Sequence, residues 1–172
     1  MDDWVLAANH DGYWLQAGGR VVAAQIGRGG VIRAADKHEG DGATPCGRWP
    51  VRAVYYRPDR VQCPETILPC HRLTIDCGWC DDVRSSLYNM PIERPSATCH
   101  ERLWRHDRLY DLFFELGMND APPERGAGSA IFLHLEKDNF RATLGCIAVN
   151  HATMQFLLRH ANPTTHIAIA ES

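Results

Sequence analysis

No apolar run in this sequence approaches the roughly 20 residues that a membrane-spanning helix needs, which excludes a helical membrane protein. Basic clusters are also absent. The 18 lysines and arginines are scattered among 21 acidic residues, and the net charge is −3. A basic patch is the usual footprint of nucleic-acid binding, so we expect no nucleic-acid partner. The lack of internal repeats and low-complexity tracts excludes a repeat array.

The first residues lack the features of a secretory signal peptide. Met1, Asp2 and Asp3 make an acidic start where a signal peptide is basic, and the polar residues 9–11 interrupt any apolar segment. The sequence therefore fits a cytosolic protein, a trimmed mature form, or a protein exported by a route that this pattern does not reveal.

What the chain does have is enough length for a core. It contains 172 residues, of which 45% are hydrophobic, as in a globular protein. We expect a single domain over residues 1–172. The seven cysteines are an odd number, so at least one thiol is free unless an intermolecular bond forms. The sequence does not fix the pairing of the others.

Most of the chain has the pattern of β-strands. Residues 4–7 and 13–16 flank an Asn-His-Asp-Gly turn, which predicts a hairpin. Further strands are predicted at residues 20–26, 47–56, 109–116, 129–135 and 165–170. The apolar spacing of residues 152–160 predicts a short helix. The fold class is therefore mostly β, with one or two short helices.

Residues 57–100 interrupt this pattern. They hold five of the ten prolines and five of the seven cysteines. Loops of this length in compact domains are usually functional or disordered. Because the segment also contains Trp79 and Tyr88, we predict a long irregular loop that is ordered.

Cys146 is the first candidate for chemistry. It follows Gly145, which permits a tight turn and a close approach of substrate. A thiolate at such a turn attacks carbonyl carbons, and we expect the backbone N–H groups of Gly145 and Cys146 to face a developing oxyanion. The alternative is a structural cysteine, because cysteine is among the most buried residue types.

His134 lies twelve positions before Cys146 in the apolar run 131–135. An imidazole at the end of a neighbouring strand takes the proton of the thiol and activates it as a nucleophile. The alternative is a core histidine with satisfied hydrogen bonds. Spacing alone leaves both interpretations open.

Cys77 and Cys80 have C-x-x-C spacing, which is typical of a redox pair, half of a zinc site or a local disulfide. No second C-x-x-C pair exists in the sequence. Other potential ligands nearby are Cys63, Cys70, Cys99, His71 and His100. A zinc-stabilised module therefore remains an alternative to an enzyme.

Residues 100–105, His-Glu-Arg-Leu-Trp-Arg, combine acidic, basic and aromatic side chains. They do not match the H-E-x-x-H motif of zinc proteases, because Trp104 occupies the position of the second histidine. Two interpretations remain: a solvated helix turn with one aromatic anchor, or a wall of a cleft that holds a zwitterionic peptide.

Several segments together resemble the L,D-transpeptidase catalytic domain. Residues 44–49 (Thr-Pro-Cys-Gly-Arg-Trp) resemble the T-P-x-G-x-[FW] segment of that family. His134 followed by residues 143–146 (Thr-Leu-Gly-Cys) resembles its catalytic histidine and [ST]-x-G-C signature. Blocks that resemble a bacterial branch of the family lie at residues 78–82, 85, 88–89, 100–105, 109–111, 117–120 and 128–134. The resemblance runs from about residue 20 to the end.

This resemblance implies a β-sandwich-like domain that acts on peptidoglycan stem peptides in the periplasm or cell envelope. It makes Cys146 the nucleophile and His134 its proton partner, with Thr143 and Gly145 in the same signature. The cysteine would form a thioester at a diaminopimelate carbonyl and release a D-amino acid. An amine of a second stem would resolve the thioester into a cross-link. We expect no cofactor and no metal at the site.

A cleft that favours an amine over water needs a wall that positions the acceptor. The candidates for this wall are Tyr88, Asn89, His100, Glu101, Trp104 and Arg105. We expect Arg105 to meet a stem carboxylate and Glu101 to meet the acceptor ammonium.

Two positions depart from the pattern of many family members. Leu144 stands where many have histidine, and Ala148 stands where many have arginine or asparagine. The acceptor is therefore open, and one option is the L-alanine of the neighbouring stem. Alternative functions are an L,D-carboxypeptidase or amidase, a toxin directed at a rival's wall, and a non-catalytic, zinc-stabilised module that binds the wall.

Overall fold

The computed structural model describes residues 3–93, 99–137 and 141–171. The helices there are a 3-10 helix at Ala34–Asp36 and the α-helix α1 at His151–His160. The strands are β1 (Trp4–Asn9), β2 (Gly12–Ala17), β3 (Arg20–Ala24), β4 (Val31–Ile32), β5 (Thr44–Pro45), β6 (Gly47–Tyr56), β7 (Cys70–Arg72), β8 (Cys77–Cys80), β9 (Pro91–Glu93), β10 (His100–Arg102), β11 (Leu112–Leu116), β12 (Phe132–Leu135), β13 (Ile147–Val149) and β14 (His166–Ile169). The predicted mostly-β class is confirmed.

The largest sheet curves until its two ends meet. Its nine strands follow the order β13-β12-β11-β6-β14-β1-β2-β3, with β7 paired to β6. Just after β3, Gln25 forms an antiparallel bridge with Ala148 of β13. Both backbone hydrogen bonds of this bridge are 2.9 Å long. The bridge joins the first and last strands of the sheet order and gives the sheet a nearly closed, barrel-like form.

Strands β11 and β12 and residues 53–56 of β6 are largely buried on both faces, because their side chains alternate between two apolar clusters. On the inner face, Val54, Phe114 and Leu133 belong to the main core. On the outer face, Phe113 and Phe132 pack under a small sheet of order β10-β8-β9. We call the side of the large sheet that carries Phe113 and Phe132 its outer face.

The predicted elements agree with the structure where the local pattern is strong. The hairpin forms from β1 and β2, and β6 has the predicted bounds. The strand predicted from residue 129 begins at Phe132, because Ala130 has a φ of 52° and cannot continue a strand. The strand predicted from residue 109 begins at Leu112, after a turn in which the Asp111 N–H bonds the Arg108 carbonyl.

Residues 57–100 were predicted to form an irregular, ordered loop. The described part of this segment, which leaves out residues 94–98, carries three short strands before β10. β7 extends the large sheet, whereas β8 and β9 build the small sheet. The segment that begins at His100 is strand β10, so the helix-turn interpretation of residues 100–105 is wrong. β8 pairs with both neighbours, which holds this small sheet over the outer face.

Helix α1 begins where Asn150 caps it. The Asn150 side-chain oxygen accepts a 2.8 Å hydrogen bond from the Thr153 N–H, which satisfies a donor of the first turn. Met154, Leu157 and Leu158 are buried against the core. Among the described residues, no helix has the length and apolar character to span a membrane.

Candidate active site

A cleft of about 450 Å³ lies on the outer face of the large sheet. His134, Cys146 and Ala148 contribute to its floor from β12, from the turn before β13 and from β13 itself. Its walls come from residues 37–42, from the small sheet and from residues 137–144. The sequence-predicted nucleophile and its predicted proton partner therefore line the same cavity.

The Cys146 thiol is buried, with 8% of the residue exposed. Its sulfur accepts a hydrogen bond from the Phe132 N–H at 3.4 Å and donates one to the Ala130 carbonyl at 3.2 Å. A carbonyl oxygen can only accept, so the thiol keeps its proton in this arrangement. Burial raises the pKa of Cys146 to about 12, against the smaller opposing effect of the Phe132 N–H.

His134 is 3% exposed and has a defined tautomer. Its Nδ1 atom lies 2.7 Å from the Leu135 carbonyl oxygen, so Nδ1 carries the proton and Nε2 keeps a free lone pair. Burial lowers the pKa of His134 to about 4. The Tyr110 ring packs edge-on at 5.4 Å and fixes the imidazole plane. His134 is therefore a neutral base at physiological pH.

The register of β12 and β13 relates these two side chains. His134 lies opposite Ala148, and Cys146 precedes Ala148 by two residues. Cys146 and His134 are thus on the same face of the sheet, and both line the cleft. Their hydrogen bonds go to backbone groups rather than to each other. The resting site is a neutral thiol beside a neutral imidazole.

The turn before Cys146 is closed by Thr143. Its hydroxyl donates to the Cys146 carbonyl at 2.6 Å and accepts from the Gly145 N–H at 3.1 Å. Gly145 has a φ of +130°, and a Cβ there would lie 3.0 Å from the Ala43 carbonyl oxygen. Only glycine fits this position without strain. The Gly145 N–H, one of the two predicted oxyanion donors, is engaged by Thr143.

Thr44 anchors this turn from the other side. Its hydroxyl donates to the Gly145 carbonyl at 2.8 Å and accepts from the Gly27 N–H at 2.9 Å. Both bonds are buried. The T-P segment at residues 44–49 therefore has a physical role: its Thr44 hydroxyl fixes the backbone of Gly145, the residue before Cys146.

A buried ion pair shapes the loop over the cleft. Lys37 and Asp41 are in contact at 2.5 Å, with 4% and 7% of their side chains exposed. The Asp41 carboxylate also accepts from the N–H groups of His38 and Ala43. These donors hold the pKa of Asp41 below its usual value, although burial acts in the opposite direction. The pair fixes the segment that contacts Gly145.

Two of the six predicted wall residues line the cleft, Glu101 and Arg105. Arg105 bonds the Glu101 carboxylate at 3.1 Å and makes a bidentate pair with Asp107, both bonds 2.8 Å long. These carboxylates raise the pKa of Arg105, with Asp107 as the largest cause. Arg105 is therefore already neutralised, and a stem carboxylate is not its first partner.

Tyr88 and Asn89 lie behind the wall instead of in it. The Tyr88 hydroxyl donates to Glu39 at 2.5 Å, and Glu39 itself lines the cleft. The Asn89 side-chain oxygen accepts a hydrogen bond from the Ala130 N–H at 3.0 Å, and the Ala130 carbonyl accepts a hydrogen bond from the Cys146 thiol. Both residues position cleft groups without reaching the cavity.

His100 and Trp104 do not line the cleft either. His100 lies on β10 and packs against Gly78, where an added Cβ would meet its ring at 2.8 Å. The Trp104 ring packs against the Arg57 guanidinium, whose central carbon is 3.6 Å from the ring centre. Their roles are in the packing of the small sheet.

Several charged residues that line the cleft were not predicted from the sequence. Arg28, Lys137 and Arg141 make no ion pair with any residue in the described ranges. On the acidic side are Glu39 and Asp81. Their types and spacing carry no motif. Asp81 alone fell within a block of the resemblance, at residues 78–82.

The C-x-x-C pair, Cys77 and Cys80, lies at the two ends of strand β8. The described residues contain no cluster of three or more histidine, cysteine or acidic side chains placed to hold a metal ion. Cys77 and Cys80 are three positions apart in a strand, so their side chains leave opposite faces of β8. Cys46, Cys63, Cys70, Cys77, Cys99 and Cys146 are free thiols.

One comparison with known proteins identifies the family of this chain. The family model YkuD, described as the L,D-transpeptidase catalytic domain, matches residues 4–169, which is nearly the whole chain. No curated protein and no solved structure matches it. YkuD domains are cysteine-dependent transpeptidase domains that act on peptidoglycan stem peptides. The chain therefore belongs to the YkuD family of L,D-transpeptidase catalytic domains.

Proposed function

We propose that this protein is a peptidoglycan L,D-transpeptidase whose Cys146 carries the acyl group. The observation that supports this most directly is the shared cleft: a buried thiol and a neutral imidazole with a free Nε2 line one cavity of about 450 Å³. Family membership supplies the substrate class, the stem peptides of peptidoglycan.

In the acylation step, the Cys146 sulfur attacks the diaminopimelate carbonyl of a donor stem. Because the pKa of the thiol is raised to about 12 and that of His134 is lowered to about 4, a thiolate does not accumulate beforehand. The thiol proton passes to Nε2 of His134 as the C–S bond forms. The imidazolium then protonates the departing amine, the C–N bond breaks, and a thioester and a free D-amino acid result.

In the second step, an amine of another stem attacks the thioester. It loses a proton to Nε2 of His134, the C–S bond breaks, and the thiol recovers its proton. An amide replaces a thioester, so no external energy source is needed. Water in the place of the amine gives the carboxypeptidase product instead, and positioning of the amine decides between them.

The charged walls suit a zwitterionic stem peptide. Arg28 and Arg141 are cleft cations without an ion pair to the described residues, and they replace Arg105 as our candidates for a stem carboxylate. Glu39 and Asp81 join Glu101 as candidates for an ammonium group. Opposite charges on one cleft orient a peptide that carries both.

The test is incubation with purified muropeptides followed by mass spectrometry. We expect cross-linked dimers and released D-amino acid from the wild type, and neither from Cys146→Ala. The matched control is Cys63→Ala, which removes an exposed thiol. An inactive wild type would remove the proposal. A high ratio of trimmed monomer to dimer would favour the carboxypeptidase alternative.

The same products identify the acceptor. Fragmentation of the dimer distinguishes a link to a second diaminopimelate from a link to L-alanine, an option that the family resemblance leaves open. The family generally belongs to the cell envelope, and we propose the periplasm as the site of action. Fractionation of the native protein tests this, and a purely cytosolic protein would contradict it.

A carbapenem provides an independent probe of the nucleophile. We expect one covalent adduct on Cys146 in the wild-type intact mass and none in His134→Asn, because opening of the lactam needs the same proton acceptor. An equal adduct yield in both proteins would show that acylation of Cys146 does not require His134.

A further inference from the structure

The side-chain oxygen of Gln25 is a hydrogen-bond acceptor that has no donor among the described residues. Gln25 is 5% exposed, and its Oε1 atom is buried without a hydrogen-bond partner in the described part of the chain. Native proteins leave few buried polar atoms unsatisfied, because each one costs folding free energy. Gln25 also lines the cleft that contains Cys146 and His134. The residue that carries the unsatisfied atom is therefore part of the cleft lining.

The position of Gln25 follows from strand alternation. Its neighbours Ala24 and Ile26 both point into the main core, so Gln25 points to the outer face. It pairs with Ala148, and Ala148 pairs with His134, which places the three residues in one row across the sheet. Neighbours in such a row have Cβ atoms about 5 Å apart, which puts Gln25 about 10 Å from His134. Ala148 contributes only a methyl group between them.

Glu136 fixes the orientation of the amide. The Gln25 Nε2 atom lies 3.3 Å from a Glu136 carboxylate oxygen. An ionised carboxylate accepts hydrogen bonds and donates none, so the nitrogen end must face Glu136. The oxygen end is then the one without a partner. The glutamine is held by one end and unsatisfied at the other.

We infer that Oε1 of Gln25 binds the stem peptide, by accepting a hydrogen bond from a main-chain amide N–H that lies over Ala148. This inference rests on the proposed transpeptidase function and adds a binding residue to it. A neutral amide oxygen suits a neutral N–H, whereas an ammonium group has the carboxylates of Glu39 and Asp81 available. Gln25 transfers no proton. It holds the peptide over the row that ends at His134.

The decisive variant is Gln25→Met, which has a similar length and no acceptor. If Oε1 forms its hydrogen bond only with substrate, this change leaves the thermal unfolding midpoint of the free protein unchanged or raises it, because a buried unsatisfied atom is lost. At the same time it weakens binding. In a Cys146→Ala background, we expect the Kd for a stem tetrapeptide ending in D-alanine to rise about tenfold, the loss expected for one hydrogen bond that discriminates its ligand. With Cys146 intact, kcat/KM falls by a similar factor.

Two further variants keep the test interpretable. Gln16→Met makes the same substitution at an exposed position of β2 and should change neither quantity. The double variant Gln25→Glu with Glu136→Gln reverses the polarity of the pair but restores an acceptor toward the cleft. We expect its Kd to lie within about threefold of the parent. If Gln25→Met does not fold, this double variant and Gln25→Asn carry the test, and Gln25→Asn must bind more weakly than the double variant.

The outcomes separate the two proposals. A wild type that neither binds nor processes the tetrapeptide removes the proposed function and this inference with it. A wild type that does both, with Gln25→Met equal to it within twofold in Kd and kcat/KM, overturns the role of Gln25 alone. A destabilised Gln25→Met with unchanged substrate affinity would also overturn it, by showing a structural glutamine.

Discussion

The hydroxyl group of Thr44 donates a 2.8 Å hydrogen bond to the carbonyl oxygen of Gly145, which lies 101 positions later in the chain. The same hydroxyl accepts from the Gly27 N–H. One side chain thus joins three segments, and all three meet directly beneath the proposed nucleophile.

Thr44→Val should remove both bonds while keeping the side-chain shape. It leaves the Gly145 carbonyl and the Gly27 N–H buried without partners, and each such group costs roughly 1–3 kcal/mol. We expect the free energy of unfolding in urea to fall by about 3 kcal/mol. Thr44→Ser keeps the hydroxyl and serves as the control. Equal urea midpoints for the two variants would contradict the anchoring role of Thr44.

The buried imidazole of His134 predicts a pH-dependent stability. Its pKa is about 4 in the folded protein, against 6.5 when unperturbed. Between pH 4 and pH 6.5, His134 is mostly protonated in the unfolded state but neutral in the folded state. The free energy of unfolding therefore falls as the pH decreases from 6.5 to 4. The loss amounts to about 3 kcal/mol near pH 4. Above pH 6.5 the residue contributes no pH dependence.

Urea unfolding at pH 7 and pH 4.5 measures this loss. The wild type should lose about 2–3 kcal/mol more than His134→Leu across this interval. His10→Gln, at an exposed histidine, should behave as the wild type does. The same loss in all three proteins would assign the acid sensitivity to other groups.

Asn89 should act on catalysis through the backbone. Its side-chain amide forms hydrogen bonds with Trp79, Met118, Asn119 and Ala130. The Ala130 carbonyl in turn accepts a hydrogen bond from the Cys146 thiol. Asn89→Ala should lower the free energy of unfolding by about 3 kcal/mol. It should also reduce kcat in muropeptide cross-linking while KM stays within about twofold, since Asn89 does not line the cleft.

Asn162→Ala is the matched control for Asn89→Ala, because the Asn162 side chain bonds only within its own turn. It should leave kcat unchanged. A rise in KM for Asn89→Ala, with kcat intact, would instead place Asn89 in direct contact with substrate.

The cations of the cleft predict a salt-sensitive KM. The double variant Arg28→Gln with Arg141→Gln removes both candidates for a stem carboxylate. Exposed charge pairs of this kind contribute up to about 1 kcal/mol each, so we expect KM to rise about fivefold at low ionic strength. The wild-type KM should approach that of the variant at about 0.5 M salt, because the charges are then screened. Arg33→Gln, outside the cleft, is the control. An equal rise in KM for this variant would show that the effect comes from the overall charge of the protein and not from the cleft.

Local patterns explain what the sequence predicted well. The β1–β2 hairpin, the long strand β6 and helix α1 each carry their own periodicity or turn signal, and no distant contact is needed to recognise them. The signature around Cys146 and His134 is also recognisable from the sequence, because the two residues lie on or next to paired strands and are close in sequence.

The remaining features depend on contacts that no local pattern records. Strands β8, β9 and β10 have three or four residues each and form only because they pair with one another over the outer face. Asn89 looks like a surface residue but turns inward, with a φ of 58°, to bond Ala130. Lys37 is a polar-loop residue whose burial depends on Asp41.

The position of β14 has a consequence for how the protein is made. This strand lies between β6 and β1, so the hairpin formed from the first residues cannot join the rest of the large sheet edge to edge until residues 166–169 arrive. Pairings across most of the chain close slowly, because the entropy of large loops must be overcome first. The bridge between Gln25 and Ala148 completes the ring of strands at the opposite seam. We therefore expect a nascent chain to expose the Cys146 thiol until residues 166–169 are available to form β14, and protection of Cys146 to report that this sheet is complete.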